Sequence, residues 1–152
     1  NVRLQIIGIG PEEENLKRLA KQLGIWSRVD FMGEVSQERL PGQLLVADVF
    51  VRPSRSEGLG NSFLEAMAAG VPVVGTPVGG IPDFLQDGET GWFCRVDDPR
   101  SIAEKVTFIL DSRNQAIVKK VITNAQLLVR EKYNWDKIAT QFNLIFKRLI
   151  RF

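Results

Sequence analysis

Two glutamates bracket a glycine-rich turn near the middle of the chain, in residues 54–67. Glu57 and Glu65 stand eight residues apart, and Gly58 and Gly60 lie between them. Glycines let a backbone approach a ligand closely, and a helix that begins after the turn presents unpaired N–H groups that attract an anion. Carboxylates accept hydrogen bonds from hydroxyls. The pattern is therefore suited to a pyrophosphate that carries a sugar.

The same residues allow a purely structural interpretation. Ser62-x-x-Glu65 matches the capping box, in which Glu65 only closes the start of its own helix. Glu57 is then a solvated loop residue. We expect the helix to begin near Asn61 or Ser62, with Glu65 on its first turn, and the spacing alone leaves both interpretations open.

Composition excludes several other kinds of chemistry. The 152 residues contain no histidine, and Cys94 is the single cysteine. The chain alone therefore supplies no Ser-His-Asp triad, no histidine-ligated metal and no internal disulfide, and we expect Cys94 to be a small buried residue. There is no Asp-x-Asp sequence, and Asp97–Asp98 before Pro99 is typical of a helix cap. We expect no metal and no cofactor.

Gly8-Ile9-Gly10 resembles the start of a dinucleotide-binding turn. The third glycine of that fingerprint would fall at position 13, which is Glu13. We therefore reject NAD binding and interpret the two glycines as turn geometry.

Short apolar strands alternate with amphipathic helices along the chain. Strands are predicted at 4–7, 29–33, 49–51, 71–75 and 91–94. Helices are predicted at 11–23, 39–46, 62–69, 99–109, 117–129 and 134–149, with a further short helix after the turn Gly79-Gly80-Ile81-Pro82. Such alternation predicts a Rossmann-like three-layer α/β/α fold with a mostly parallel sheet, covered on both faces. We assign residues 1–152 to one domain. We expect the first strand to be buried. The chain does not begin with Met, and we expect it to be cut from a longer protein.

The stretch Glu57 to Glu65 matches the E-x7-E motif of the group 1 retaining glycosyltransferases of GT-B fold. The match continues through residues 65–74, Gly79-Gly80-Ile81-Pro82 and residues 87–91, and further similar landmarks are Gly8-Ile9-Gly10-Pro11, residues 29–33 and residues 47–54. Over roughly residues 2–110 the chain thus resembles the C-terminal, donor-binding domain of this family, which is one half of a GT-B fold.

The resemblance implies roles for individual residues. Glu57 is the catalytic candidate, which contacts the hydroxyls of the donor sugar, and Glu65 binds the ribose. The other donor-binding residues are Gly58, Leu59, Gly60, Asn61 and Ser62, which face the sugar and phosphate, and Gly33, Glu34 and Val35, which receive the base. Gly79 and Gly80 are either a second loop of close approach or a tight turn before Pro82.

The resemblance also implies what this chain lacks. In the family, an Arg and a Lys that stabilise the departing pyrophosphate precede the strand with which this chain opens, and the acceptor site belongs to an N-terminal domain. Arg55 is either a substitute for those cations or a surface arginine, which we favour. We expect the chain alone to bind donor and not to turn over.

The implied reaction is transfer of a sugar from a nucleoside diphosphate to a glycan, lipid-linked or other hydroxyl acceptor, with retention. UDP is the favoured nucleotide, with GDP and ADP as alternatives. The rival hypotheses are a stand-alone or inactive donor-binding module and a sugar-nucleotide epimerase or phosphorylase of similar architecture.

No stretch is long and apolar enough to span a membrane, and we expect a cytoplasmic location.

The last 40 residues are basic, with 9 Lys and Arg against 2 Asp and Glu. The final helix places polar and basic residues and Leu144 opposite an apolar stripe; the first set is Lys137, Gln141, Leu144, Arg148 and Arg151, and the stripe is Ile138, Phe142, Ile145 and Leu149. The helix is expected to contact the N-terminal domain, to lie on the anionic inner face of a membrane, or to be a solvated surface. No nucleic-acid partner is expected.

Overall fold

The structure is a computed structural model and describes residues 2–150. The chain divides into two compact units, Asn1–Pro41 and Gly42–Phe152. The assignment of residues 1–152 to one domain stays a prediction. Arg151, which the sequence analysis places on the basic face of the last helix, lies outside the described residues.

The first unit contains a parallel pair of strands joined by a helix, as predicted. β1 (Leu4–Ile7) pairs with β2 (Val29–Gly33), and α1 (Glu13–Gln22) and a 3₁₀ helix (Trp26–Arg28) connect them. Two glutamates lie in the first turn of α1, where negative charge opposes the positive end of the helix dipole.

The expectation that β1 is a buried strand is wrong. Leu4 and Ile7 are exposed, and Ile6 alone in this strand is half-buried. The reason is that β1 belongs to a sheet of only two strands, while α1 makes its main contacts with the 3₁₀ helix. An apolar run of four residues predicts a strand, but it does not by itself supply a cover for both faces.

The second unit contains a parallel three-stranded sheet. Its strands are β3 (Phe50–Arg52), β4 (Val73–Gly75) and β5 (Trp92–Phe93), in the order β3–β4–β5. Four helices belong to it, and a fifth, α2 (Leu40–Leu45), spans the boundary of the units; the four are α3 (Asn61–Ala68), α4 (Pro99–Leu110), α5 (Gln115–Lys132) and α6 (Trp135–Leu149). Short 3₁₀ helices occur at Ile81–Asp83 and Ser112–Asn114.

Helices cover both faces of β4. Successive residues of a strand face opposite sides of the sheet, so Val74 and Gly75 report on one face each. Gly75 lies under the ring of Phe63 in α3, whereas Val74 joins a buried cluster with Ile109 of α4 and Val121 of α5. This confirms the predicted α/β architecture with parallel strands and helices on two sides. Cys94 is buried in the same cluster, as predicted, and burial raises the pKa of its thiol.

Side chains cap two of the predicted helix starts. Asp98 Oδ1 accepts hydrogen bonds from the backbone N–H of Arg100 and Ser101 at 3.0 and 3.1 Å, and Asn134 caps α6 in the same way. The prediction that Asp98 serves α4 as a cap is therefore confirmed. In α6 itself Ile138 is half-buried, but the rest of the apolar stripe is uncovered within residues 2–150, since Phe142, Ile145 and Leu149 are exposed. None of the helices in this range is long and apolar enough to cross a bilayer.

Phe63 anchors α3 to the sheet. Its fully buried ring lies 5.3 Å from that of Phe50 and 6.1 Å from that of Phe84, measured between centroids. We expect Phe63→Ala to lower the free energy of unfolding by about 3–5 kcal/mol, because burial is lost and a cavity remains. Urea denaturation measures the loss. The matched control is Phe142→Ala, which truncates a ring that is 55% exposed; a loss as large as that of Phe63→Ala would contradict this account.

Candidate glycosyl-donor site

The loop that follows β3 leads directly into α3 through Gly60. This glycine precedes the helix with φ +71°, in the left-handed region that favours glycine. A Cβ at this position would lie 2.6 Å from Ile81 Cδ1 and 3.1 Å from Phe63 Cδ2. Both backbone conformation and space therefore require glycine here, and no side chain caps α3.

A second glycine loop packs against the first, backbone to backbone. Gly80 N donates a hydrogen bond of 3.0 Å to Gly58 O. A Cβ on Gly79 would overlap Glu57 O, and one on Gly80 would lie 2.7 Å from Gly58 O. Gly79 and Gly80 thus allow their loop to pack closely on the loop of Glu57. This packing holds the Glu57 loop in place.

The carboxylate of Glu57 turns inward and is held by one hydrogen bond and one ion pair. Its Oε1 accepts a hydrogen bond from Ser54 Oγ at 2.6 Å and lies 2.6 Å from Arg52 Nε. The Glu57 side chain is only 9% exposed. The interpretation of Glu57 as a solvated loop residue is therefore wrong.

Arg52 links this carboxylate to α3. Its Nη1 donates a hydrogen bond of 2.7 Å to Ser62 Oγ, in the first turn of the helix. The sequence analysis predicts no role for Arg52, which directly precedes the loop. A usable signal exists, because Arg52 is the last residue of a strand that runs into the glycine-rich turn.

Glu65 lies on α3 with its side chain exposed. The helix begins at Asn61, as predicted, so Glu65 is its fifth residue. Glu65 therefore lies just beyond the first turn, whereas the sequence analysis placed it on the first turn. The capping-box interpretation is wrong as well, because the residue in the cap position is Gly60 and Ser62 is inside the helix. The left-handed turn at Gly60 starts the helix two residues earlier than a Ser62 cap requires.

The predicted residues of the loop fall around the helix start. Gly58, Leu59 and Asn61 are exposed, Ser62 is half-buried and bonded to Arg52, and Gly60 is buried. Backbone N–H groups at the start of an α-helix and the dipole of the helix favour an anion. The arrangement therefore combines donors for an anion with an inward carboxylate that accepts from hydroxyls.

Arg55 points away from this arrangement. Its Nε donates a hydrogen bond of 2.8 Å to Asp97 Oδ1, and both side chains are exposed. The hydrogen bond and the charge of Asp97 raise the pKa of Arg55. This agrees with the preferred prediction of a surface arginine.

Gly33, Glu34 and Val35 belong to the first unit, where Gly33 ends β2 and the other two residues follow it. Gly33 has φ +63° and its carbonyl accepts a hydrogen bond of 2.7 Å from Gly8 N. Glu34 is exposed and Val35 half-buried. The proposed role of this turn for the base stays a prediction.

Across residues 2–150, no three acidic, His or Cys side chains form a group that could hold a metal ion.

The fold and the sequence agree on one class of protein, the Rossmann-like α/β domains of GT-B glycosyltransferases. Residues 1–128 match the family of glycosyl transferases group 1, and the chain belongs to that family. The family resemblance of the sequence is thereby confirmed, whereas the function of the E-x7-E residues stays a prediction.

Two curated relatives illustrate the similarity. The N-acetyl-alpha-D-glucosaminyl L-malate synthase of Bacillus anthracis is 34% identical over 151 residues, which are 99% of this chain and 39% of that protein. The GDP-mannose-dependent alpha-(1-6)-phosphatidylinositol monomannoside mannosyltransferase of Mycobacterium tuberculosis is 37% identical over 148 residues, covering 91% of this chain and 37% of that protein. The chain thus spans less than half the length of these relatives.

Solved structures show the same fold. Sucrose-phosphate synthase from Thermosynechococcus elongatus superposes with a TM-score of 0.87 at 28% identity, over 97% of this chain and 38% of that chain. HepE from Anabaena, crystallised in complex with UDP-glucose, superposes with a TM-score of 0.86 at 22% identity, over 97% of this chain and 41% of that chain.

The packing of the two glycine loops is testable with a matched pair of variants. Gly79 and Gly88 both have left-handed φ, +55° and +74°, but only at Gly79 would a Cβ meet another atom within 4 Å. We expect Gly88→Ala to lower the free energy of unfolding by about 1 kcal/mol through the backbone alone. Gly79→Ala should cost about 1–3 kcal/mol more, because the new atom overlaps Glu57 O.

Urea denaturation measures both losses, and amide NMR reports the loop. Resonances of residues 57–60 should move in the Gly79 variant and stay in place in the Gly88 variant. Equal losses with an unmoved loop would contradict the backbone contact.

Proposed function

We propose that this chain is the nucleotide-sugar-binding domain of a retaining glycosyltransferase. The observation that carries the proposal is the inward carboxylate of Glu57, which is hydrogen-bonded to Ser54 and paired with Arg52, in the loop that opens the uncapped helix α3. Membership of the glycosyltransferase family supports it. So does the name of the mycobacterial relative, which specifies GDP-mannose as its donor.

Glu57 is the residue we assign to the sugar. Ser54 and Arg52 both contact its Oε1. We propose that Oε2 accepts a hydrogen bond from a hydroxyl of the donor sugar. Such a bond to a charged acceptor discriminates against a ligand that lacks the hydroxyl, since Oε2 then gains no partner in the complex.

The start of α3 is the part we assign to the pyrophosphate. Backbone N–H groups around Gly58 to Asn61 and the helix dipole stabilise negative charge as it builds on the leaving group. Glu65 accepts from the ribose, and Gly79 and Gly80 hold the loop close to the phosphate and sugar. Gly33, Glu34 and Val35 receive the base.

The proposed reaction breaks the bond between the anomeric carbon and the pyrophosphate oxygen through an oxocarbenium-like state. The acceptor hydroxyl attacks from the face that the pyrophosphate leaves, so the configuration is retained, and its proton passes to the departing phosphate. Stabilisation of that phosphate is the main catalytic task. Further cations and the acceptor site are assigned to the remainder of the enzyme, and the chain alone is expected to bind without turnover.

No metal is assigned to this chemistry. Asp97 and Asp98 adjoin one another, but Asp98 caps α4 and pairs with Arg95, and Asp97 pairs with Arg55.

Two rival functions predict different experimental outcomes from the proposed one. A donor-binding module without activity binds equally well and shows no transfer when the rest of the enzyme is added, and an epimerase changes the donor sugar without an acceptor.

The first test is a titration of the chain with UDP-, GDP- and ADP-sugars in the presence of a chelator, followed by amide NMR. We expect shifts at Gly58, Gly60 and Glu65 with at least one donor. Glu57→Gln should weaken binding of the nucleotide sugar about tenfold or more, because a charged hydrogen-bond acceptor is lost, and leave the free nucleotide nearly unaffected. Glu65→Gln should weaken both.

The control is Glu104→Gln, an exposed position on α4, which should change neither affinity. Shifts confined to α5 and α6, or binding that disappears with the chelator, would contradict the assignment.

We also propose that the remainder of the enzyme covers the apolar stripe of α6. Within residues 2–150 the side chains of Phe142, Ile145 and Leu149 are exposed, and the curated relatives are more than twice as long as this chain. Stacked rings of Phe142 and Phe146, 6.2 Å apart, extend the stripe.

Vesicle flotation distinguishes this partner from a membrane. We expect the chain to show no preference for vesicles with anionic phosphatidylglycerol over vesicles of phosphatidylcholine. Flotation with the anionic vesicles that is lost in Phe142→Ser would overturn the proposal and favour a peripheral membrane contact.

A further inference from the structure

We infer that Arg52 is a positioning residue, which orients Glu57 toward the donor sugar and thereby sets the preference for the nucleotide sugar over the free nucleotide. The inference rests on the proposed function. Its basis is a chain of three contacting side chains, in which Arg52 reaches Glu57 Oε1 at 2.6 Å through Nε and Ser62 Oγ at 2.7 Å through Nη1.

Glu57 needs such a partner because its surroundings leave it little water. A carboxylate with 9% of its side chain exposed has lost most of its hydration, which must be replaced by charged or hydrogen-bonding groups. Ser54 Oγ supplies one neutral donor. Arg52 supplies the positive charge, and together they fix one oxygen of the carboxylate.

The geometry suits arginine in particular. Two different nitrogens of a single rigid guanidinium plane contact the loop and the helix. The guanidinium of Arg52 therefore fixes the position of Glu57 relative to α3. The start of α3 is the part that we assign to the phosphate. A lysine offers a single ammonium on a flexible stem and cannot reproduce both directions.

The backbone of the loop is held by other contacts. Thr76 Oγ1 donates a hydrogen bond to Ser54 O, and Thr76 is buried. Gly80 N donates to Gly58 O at 3.0 Å. Because these contacts do not involve Arg52, replacing Arg52 should release the Glu57 side chain and leave the loop folded.

Arg52 is also 46% exposed near an uncapped helix start, so a direct contact with phosphate is the rival role. The two roles predict different binding patterns. A positioning residue affects recognition of the sugar only, whereas a phosphate ligand affects the free nucleoside diphosphate as well.

The experiment compares the affinities of the chain and its variants for UDP and UDP-glucose, with GDP and GDP-mannose and with ADP and ADP-glucose as the other pairs. In Arg52→Gln we expect the ratio of the nucleotide-sugar Kd to the nucleotide Kd to rise about tenfold. The Kd of the free nucleotide should change less than about twofold. Arg52→Lys should restore part of the ratio, and Ser62→Ala should raise it less than Arg52→Gln.

The matched control is Arg113→Gln, which removes an exposed arginine paired with Asp111 and should leave both Kd values unchanged. Thermal unfolding and the ¹³Cδ resonance of Glu57 are recorded for each variant. An unchanged melting temperature with a shifted Glu57 resonance supports positioning.

Equal weakening of nucleotide and nucleotide sugar in Arg52→Gln overturns the inference in favour of a phosphate ligand. An unchanged ratio with unchanged affinities overturns it outright. In both cases the unsubstituted chain still binds donor, so the proposed function survives. Failure of the unsubstituted chain to bind any of the six ligands overturns the proposed function and this inference together.

Discussion

A carboxylate that is almost fully buried must find hydrogen-bond donors within the protein, and the arrangement around Glu57 follows from that constraint. Ser54 donates a hydrogen bond to Glu57, and Arg52 forms an ion pair with it; these two residues flank Pro53 at the end of β3. Arg52 then has donors to spare, and one of them reaches Ser62 in α3. Burying one acid thus fixes the relation between a strand, its loop and the following helix.

The topology explains why two glycine loops meet at this point. β3 and β4 are parallel neighbours, so their carboxyl ends lie at the same edge of the sheet and the loops that leave them are adjacent. The loop after β4 carries Gly79 and Gly80, whose missing side chains let it lie directly on the backbone of Glu57 and Gly58. A side chain on either glycine would separate the loops and release the segment that holds the acid.

Much of this could be predicted from periodicity and turn residues. The alternation of strands and helices and the cap at Asp98 follow from local rules. Burial is a tertiary property, however, and local patterns fail where it decides. They do not predict that Glu57 turns inward, that β1 stays exposed, or that Arg52 crosses from a strand end to a helix, because each outcome depends on neighbours distant in sequence.

The start of α3 lacks the stabilising groups found at the starts of α1, α4 and α6. α4 and α6 begin at capping side chains, Asp98 and Asn134, and α1 carries two glutamates in its first turn, while α5 continues directly from a 3₁₀ helix. α3 has only Gly60 before it and no acid in its first turn. A side-chain cap would stabilise the helix by about 1 kcal/mol, but it would occupy the N–H groups that an anion uses. A helix start without a cap or an acid, close to a carboxylate that is paired with an arginine, fits the proposed binding of a negatively charged, hydroxyl-bearing ligand.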